Sequence, residues 1–295
     1  MINYYSMDFY IVDVFAEAKY AGNQLAVFAG AEVAHLSDEE MLQITREMNY
    51  SETTFILSPE QQNGGYNVRI FTPTKELSFA GHPTLGTAYI IQREIIKNMV
   101  DKVVLNLGVG QISVSWKDEV LWMGQNIPTF AGKYQVEALA KVLNLEVVDI
   151  DTRFPIQEVS TGLPFVIVPL KNLVALKKAK VNLDKYYQFI QTAKVTEILI
   201  FCPETYKDID DLSVRMFAPY LGITEDPATG SGNGCLAGYL AEYNYFNQRK
   251  IDVRVEQGYE INRPSLLFLQ AEKKPEGIEV FVGGNVVMVA QGKFL

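Results

Sequence analysis

The chain has 295 residues, 48% hydrophobic and 21% charged, the balance of an ordinary globular protein with room for a sizeable core and one large or two medium domains. Its net charge of −9 argues against nucleic acid or an anionic membrane surface as partner, since both call for clustered Lys and Arg, and no apolar run approaches the roughly 20 residues that span a bilayer. Two scattered cysteines, Cys202 and Cys235, and two histidines supply neither a disulfide framework nor metal-ligand spacing; with residues 1–6 lacking a basic or secretory segment, they imply a cytoplasmic protein.

Residues 7–15 alternate around β-branched and aromatic side chains and predict a strand, 21–24 a turn and 25–28 a second short strand. Ser37, with Glu40 three residues on, carries a capping-box signature. Met41, Ile44, Thr45 and Met48 then share one face of a helix that ends near Asn49. Strands follow over 51–57 and 68–72, with a loop over 61–65 between them. Residues 87–95 read as a helix, 103–116 as a hairpin turning near Gly108-Val109-Gly110, and 121–126 as a further strand. Residues 128–133 form the best candidate linker. Beyond it come helices over 136–143 and 183–192, and strands over 156–160, 165–168, 196–202, 212–217, 251–256 and 266–272. A closing hairpin spans 279–289. Short strands with two helices in each half make this an α+β protein, each lobe a curled sheet around a central helix.

Two glycine-rich stretches stand out. Phe79-Ala80-Gly81-His82-Pro83-Thr84-Leu85-Gly86 precedes the helical run over 87–95. Asp226-Pro227-Ala228-Thr229-Gly230-Ser231-Gly232-Asn233-Gly234 precedes another over 236–243. Glycines beside the first turn of a helix let several N–H groups face one spot, where the helix dipole favours negative charge. Both stretches therefore read as seats for a substrate carboxylate. They are related by an internal repeat. Val68, Arg69, Phe71 and Pro73 recur as Val214, Arg215, Phe217 and Pro219 at a constant spacing of 146 positions, Gly81 and Gly230 lie 149 apart, and Gly110 and Gly258 lie 148 apart. Ordered matches near half the chain length argue for a duplicated lobe, and two facing lobes would bring both seats to a shared cleft. The expected lobes are 1–127 with 279–295, and 128–278.

Glu52 is the charged residue in an unexpected place. It follows a helix and opens an apolar strand. It reads either as a solvated strand-start glutamate or as a partly desolvated acid with its pKa raised towards the range useful for proton transfer, oriented by the hydroxyls of Ser51, Thr53 and Thr54. His82 reads equally as a helix-start residue with a local bond, Asp226 as half of a common Asp-Pro turn, and Ser231 as an N-cap. The second stretch has Cys235 where a dinucleotide fingerprint needs its third glycine, and it lacks the lysine of a P-loop.

Five ordered blocks carry a resemblance. Gly22-Asn23-Gln24-Leu25-Ala26-Val27-Phe28, Met48-Asn49-Tyr50-Ser51-Glu52-Thr53-Thr54-Phe55, Arg69-Ile70-Phe71-Thr72-Pro73 and the two glycine-rich stretches together resemble the PhzF family of phenazine-biosynthesis-like isomerases, over essentially the whole chain. The resemblance implies the diaminopimelate-epimerase-like fold of two pseudo-symmetric lobes, each a barrel-like sheet around a central helix. It implies a homodimer that uses no cofactor. Glu52 then matches the family's catalytic glutamate, which takes a proton from one substrate carbon and returns it to another. His82 matches the histidine that helps hold substrate and proton network, Asp226 the aspartate that contacts polar substituents, and Gly81, Gly230 and Ser231 the helix starts that bind a small-molecule carboxylate. Amino-acid epimerases of this fold use paired cysteines, and by motif those places hold Ala80 and Thr229, so two-thiol racemisation is not expected and Cys235 is expected to be a buried structural thiol. Phenazine members have Ala-Ala where this chain has Gly232-Asn233. Two other functions fit the same residues. One is a small-molecule-binding homodimer without turnover. The other is an epimerase using two carboxylates, Glu52 and Glu197, although Glu197 reads more simply as a strand start.

Overall fold

A computed structural model of the protein describes residues 6–295; residues 1–5, part of the N-terminal stretch that lacks a secretory signature, lie outside the described residues. Two compact units are present, one made of residues up to Met123 with Gly283–Leu295 and the other of Gly124–Val282. The divisions fall four residues from the sequence expectations of 127/128 and 278/279.

In the first unit the elements run β1 (Met7–Val14), β2 (Asn23–Ala29), α1 (Asp38–Met48), β3 (Thr53–Ile56), β4 (Tyr66–Phe71), β5 (Glu76–Leu77), α2 (Gly81–Ile90), β6 (Lys102–Leu107), β7 (Gly110–Lys117) and β8 (Val120–Gly124). β1 pairs antiparallel with β2, β2 runs parallel to β3, and β3 is antiparallel to β4. β4 takes β5 antiparallel and β6 parallel, and β6 turns into β7. This curled, barrel-like sheet surrounds α2, which touches β1, β2, β3, β6 and β7. All of α2 except Tyr89 is buried, so its apolar surface has no solvent face to mark it as amphipathic. At Gly86 an added Cβ would lie 2.6 Å from Leu25 Cδ2 and 2.9 Å from Val14 Cγ2, and this lack of a side chain lets the helix sit directly on β1 and β2. α1 is the opposite kind of helix. Met41 and Ile44 pack onto Phe28, Phe55 and Phe71, its other face is polar, and Ser37 and Glu40 close the expected capping box.

The second unit contains β9 (Thr129–Tyr134), α3 (Val136–Val142), β10 (Ile156–Ser160), β11 (Pro164–Pro169), α4 (Leu173–Lys178), α5 (Leu183–Ala193), β12 (Ile198–Cys202), β13 (Leu212–Ala218), β14 (Ile223–Asp226), α6 (Gly230–Glu242), β15 (Lys250–Gln257), β16 (Ser265–Lys274) and most of β17 (Gly277–Gly284). The last strand, β18 (Val286–Phe294), returns to the first unit and pairs with β1. The wiring of the second unit repeats the first. β10 is antiparallel to β11, β11 parallel to β12, and β12 antiparallel to β13. β13 takes β14 antiparallel and β15 parallel, and β15 turns into β16. β9 flanks β10 as β18 flanks β1. α6 occupies the place of α2, touching β10, β11, β15 and β16. At Gly238 an added Cβ would lie 2.5 Å from Pro128 Cγ. The α+β fold of two similar sheet-and-helix lobes is thus present, and the duplication read from the repeat extends to every one of these pairings. No helix among the described residues is long and apolar enough to cross a membrane.

Several expectations are corrected. Residues 128–133 are not a linker: Thr129–Tyr134 is a strand, with Tyr134 opposite Ile156 and Thr129 opposite Ser160, because Thr, Phe and Tyr suit an edge strand despite Pro128. The turn over 21–24 is shorter, since β2 already begins at Asn23. The hairpin over 279–289 is two strands, the second of which lies on β1. Both central helices begin earlier than predicted, at Gly81 and Gly230 rather than 87 and 236. Glycine and proline weaken a helix interior, but Pro83 falls in a first turn, where its missing N–H costs nothing, and burial overrides the poor propensity of the glycines.

Candidate active site

Glu52 sits between the left-handed C-cap of α1 at Asn49 and the first residue of β3. The side chain is 16% exposed, but Oε2 is fully buried and carries no hydrogen bond. Burial pushes the Glu52 pKa above the ordinary glutamate value, because an ionised carboxyl loses its hydration there. The Ser51 hydroxyl, whose contact falls short of hydrogen-bond geometry, pulls weakly the other way. His82 is the second residue of α2 and is buried, with Nε2 3.5 Å from Glu52 Oε2. Strand and helix are pinned at this point by a 2.8 Å bond between the Thr54 and Thr87 hydroxyls.

The hydroxyls expected to orient Glu52 do not do so. Thr54 is taken by Thr87, and the Ser51 and Thr53 hydroxyls are buried without a hydrogen bond. Successive strand residues face opposite sides, so Thr53 and Thr54 cannot serve one carboxylate together. Gly81 opens α2 after an extended Ala80 that offers no side-chain cap. Thr84 folds back onto the Ala80 carbonyl through its hydroxyl at 2.7 Å. The first-turn amides of Gly81 and His82 therefore precede a proline that has none, at the positive end of the helix dipole.

In the second unit Asp226 ends β14 and is buried. Its Oδ2 accepts a short hydrogen bond from the Thr229 hydroxyl. Thr229, not Ser231, is the N-cap of α6; Gly230 is its buried first residue and Ser231 the half-buried second. Gln257, at the end of β15, and Asn233, in the first turns of α6, complete a buried cluster with Asp226 and Thr229. Neither amide was singled out from sequence as a site residue, and an isolated Gln in a strand gives no motif to find it by. Glu197 stands just before β12, as Glu52 stands before β3, and its Oε2 accepts from the Thr196 amide at 3.2 Å and the Thr196 hydroxyl at 2.7 Å.

The two cysteines are buried free thiols. Burial pushes Cys235 up to about 11 and Cys202 up to about 12, which removes the thiolate that nucleophilic or acid–base work requires. Among the described residues no group of three or more His, Cys, Asp or Glu is arranged to hold a metal ion. A surface recess of about 530 Å³ on the first unit is lined by Lys19, Tyr89, Arg93 and residues 286–291, and it contains neither Glu52 nor His82.

The sequence profile of the PhzC-PhzF family, described as phenazine biosynthesis-like protein, matches residues 12–292. A trans-2,3-dihydro-3-hydroxyanthranilate isomerase of Pseudomonas aeruginosa is 34% identical, over 96% of this chain and 97% of its own. An uncharacterized isomerase of Clostridium acetobutylicum is 33% identical, over 100% of this chain and 99% of its own. The crystal structure of a PhzF-family phenazine biosynthesis protein of Bacillus anthracis superposes with a TM-score of 0.89 at 27% identity, covering 99% of each chain. A probable proline racemase of Agrobacterium radiobacter, at 10% identity and a TM-score of 0.63 over 98% of this chain and 93% of its own, shares the fold.

Proposed function

The chain belongs to the PhzC-PhzF family of phenazine biosynthesis-like proteins and is an isomerase, and from that premise we propose that it moves a proton between two carbons of a small carboxylate-bearing metabolite through Glu52 alone, without a cofactor. The observation that carries this is the sealed Oε2 of Glu52, unbonded and 3.5 Å from His82 Nε2, with its pKa raised by burial. A carboxylate that is costly to keep ionised is a stronger base, and once protonated it is an acid suited to neutral pH. As base, ionised Glu52 accepts a proton from a substrate carbon, and the C–H electron pair delocalises into the substrate. As acid, the resulting carboxyl gives that proton to a second carbon and is ionised again, so charge and protons balance over the cycle.

His82 is assigned to holding substrate and proton network beside Glu52, and Gly81 to the carboxylate through first-turn amides that favour an anion. Asp226, Gly230 and Ser231 are assigned to substrate binding in the same reading. Two-thiol chemistry is not available, since Ala80 and Thr229 stand at the epimerase cysteine positions. The protein is also assigned as a cytoplasmic homodimer, checked by light scattering of the purified protein and by fractionation of its source cells. The functional test is turnover of trans-2,3-dihydro-3-hydroxyanthranilate, the compound named for the relatives, followed by a melting-shift screen of other small carboxylates. Glu52→Gln is expected to abolish turnover of whichever compound reacts. Full activity in that variant would overturn the assignment.

A further inference from the structure

Gln257 and Asn233 have no part in the chemistry above, yet they are 1% and 0% exposed and lie against Asp226 and Thr229. With the Asp226 carboxyl ionised, their hydrogen bonds allow a single arrangement of protons. The Thr229 amide can only donate, and it donates to Gln257 Oε1 at 3.2 Å, which identifies that atom as the oxygen. Gln257 Nε2 then donates to the Asp226 carbonyl at 2.9 Å and to Thr229 Oγ1 at 3.0 Å. The Thr229 hydroxyl, already accepting from the amide, directs its own proton to Asp226 Oδ2. Asn233 Nδ2 donates to the Thr229 carbonyl at 3.0 Å and to Gln257 Oε1 at 2.8 Å, so the orientation of this amide is settled as well. The chain of donors runs one way, from Asn233 through Gln257 and Thr229 to Asp226.

We propose that Gln257, locked by Asn233, is a positioning residue that aims the Thr229 proton at Asp226 and so holds the Asp226 carboxyl, in fixed orientation, as an acceptor for a hydroxyl or amino substituent of the substrate. This rests on the assignment of Asp226 to substrate binding. The isosteric variant Gln257→Glu tests it. At about pH 8 the introduced carboxyl is ionised and offers acceptors only, so the Thr229 hydroxyl turns from Asp226 to it. KM for trans-2,3-dihydro-3-hydroxyanthranilate should then rise about tenfold while kcat stays within about threefold of wild type, the signature of lost uniform binding. At about pH 5 a buried introduced carboxyl regains its proton and can donate as the amide does. The ratio of variant to wild-type KM should then return towards one, whereas for Gln257→Leu it should be elevated at both pH values.

A ratio near one at the higher pH, or an equal ratio for Gln257→Glu at both, would overturn the proposal, because a merely structural role has no reason to reverse with pH. A second readout is independent of turnover. The Thr229 hydroxyl proton should be a slowly exchanging resonance in the wild-type protein and should vanish in Gln257→Glu at the higher pH. If wild type turns over nothing, the assignment of function fails while this resonance still decides the positioning claim; its presence unchanged in the variant would refute it. Should Gln257→Glu not fold, Asn233→Ala provides the same test with a KM rise of about threefold, and an unchanged KM and hydroxyl resonance there would also refute it.

Discussion

The two units share their strand wiring but treat equivalent charges in opposite ways. Glu52 and Glu197 each precede a strand that runs parallel to one neighbour and antiparallel to the next. Glu197 is bonded by Thr196 immediately before it, whereas the buried oxygen of Glu52 has no hydrogen bond and faces His82. The duplicated arginines are reversed. Arg215 is buried, paired with Glu225 and bonded to the Leu176 and Ala179 carbonyls, while Arg69 makes the equivalent pair with Glu76, and another with Asp38, at a more open surface. The duplicated scaffold therefore supplies positions, and the local hydrogen-bond supply decides which glutamate is bonded into the fold and which keeps a buried oxygen without a hydrogen bond.

The largest expected effect separates the two glutamates. Glu52→Gln should lower kcat by about a thousandfold or more, the scale of a lost general base, and Glu197→Gln should leave it within about threefold; steady-state kinetics on the reacting carboxylate compares them. Equal losses would restore the two-carboxylate reading. Next come the arginines. Arg215→Ala strands Glu225 in the interior and should destabilise by about 3–5 kcal/mol, against less than about 1 kcal/mol for Arg69→Ala, both measured by urea unfolding.

A smaller effect follows from the raised pKa of Glu52. A carboxyl whose folded pKa lies above its unfolded value stabilises the fold fully only below the unfolded pKa, and that contribution is lost as pH rises through the folded pKa. Glu52→Gln should therefore melt higher than wild type by about 2–4 °C near neutrality, with the gap closing as the pH falls towards the ordinary glutamate range. A gap that widens in acid would contradict the burial of this carboxyl. The smallest effects concern the helices between equivalent strands. Ser37 caps α1, and Asn182 caps α5 through the Lys185 amide; Ser37→Ala and Asn182→Ala should each lower the melting temperature by about 2 °C and should add, since the caps lie in different units.

Much of this was legible in the sequence because the informative residues are backbone-determined. The Val-Arg-x-Phe-x-Pro repeat and the two glycine stretches recur at nearly constant spacing, and strand alternation marked most of the sheet. Glu52 was visible as a charge at the mouth of an apolar strand. The helix starts at Gly81 and Gly230 were hidden because glycine and proline propensities point away from helix, and only burial against β1, β2 and their counterparts overrides them. The strand at Thr129–Tyr134 was hidden because its identity rests on β10, well away in sequence. Glu76 and Glu225 lie 149 positions apart, in step with Gly81 and Gly230, so the arginine partners were readable from the repeat and were missed. Gln257 and Asn233 were not readable, because an amide's role depends on which groups the fold brings to it.

Burial with few hydrogen bonds makes the carboxyl of Glu52 costly to keep ionised. Carbon-13 NMR of glutamate-labelled protein, assigned with Glu52→Gln, measures that directly. A titration midpoint clearly above the ordinary glutamate value is predicted for this one carboxyl, and a midpoint at or below about 4.3 would contradict the account.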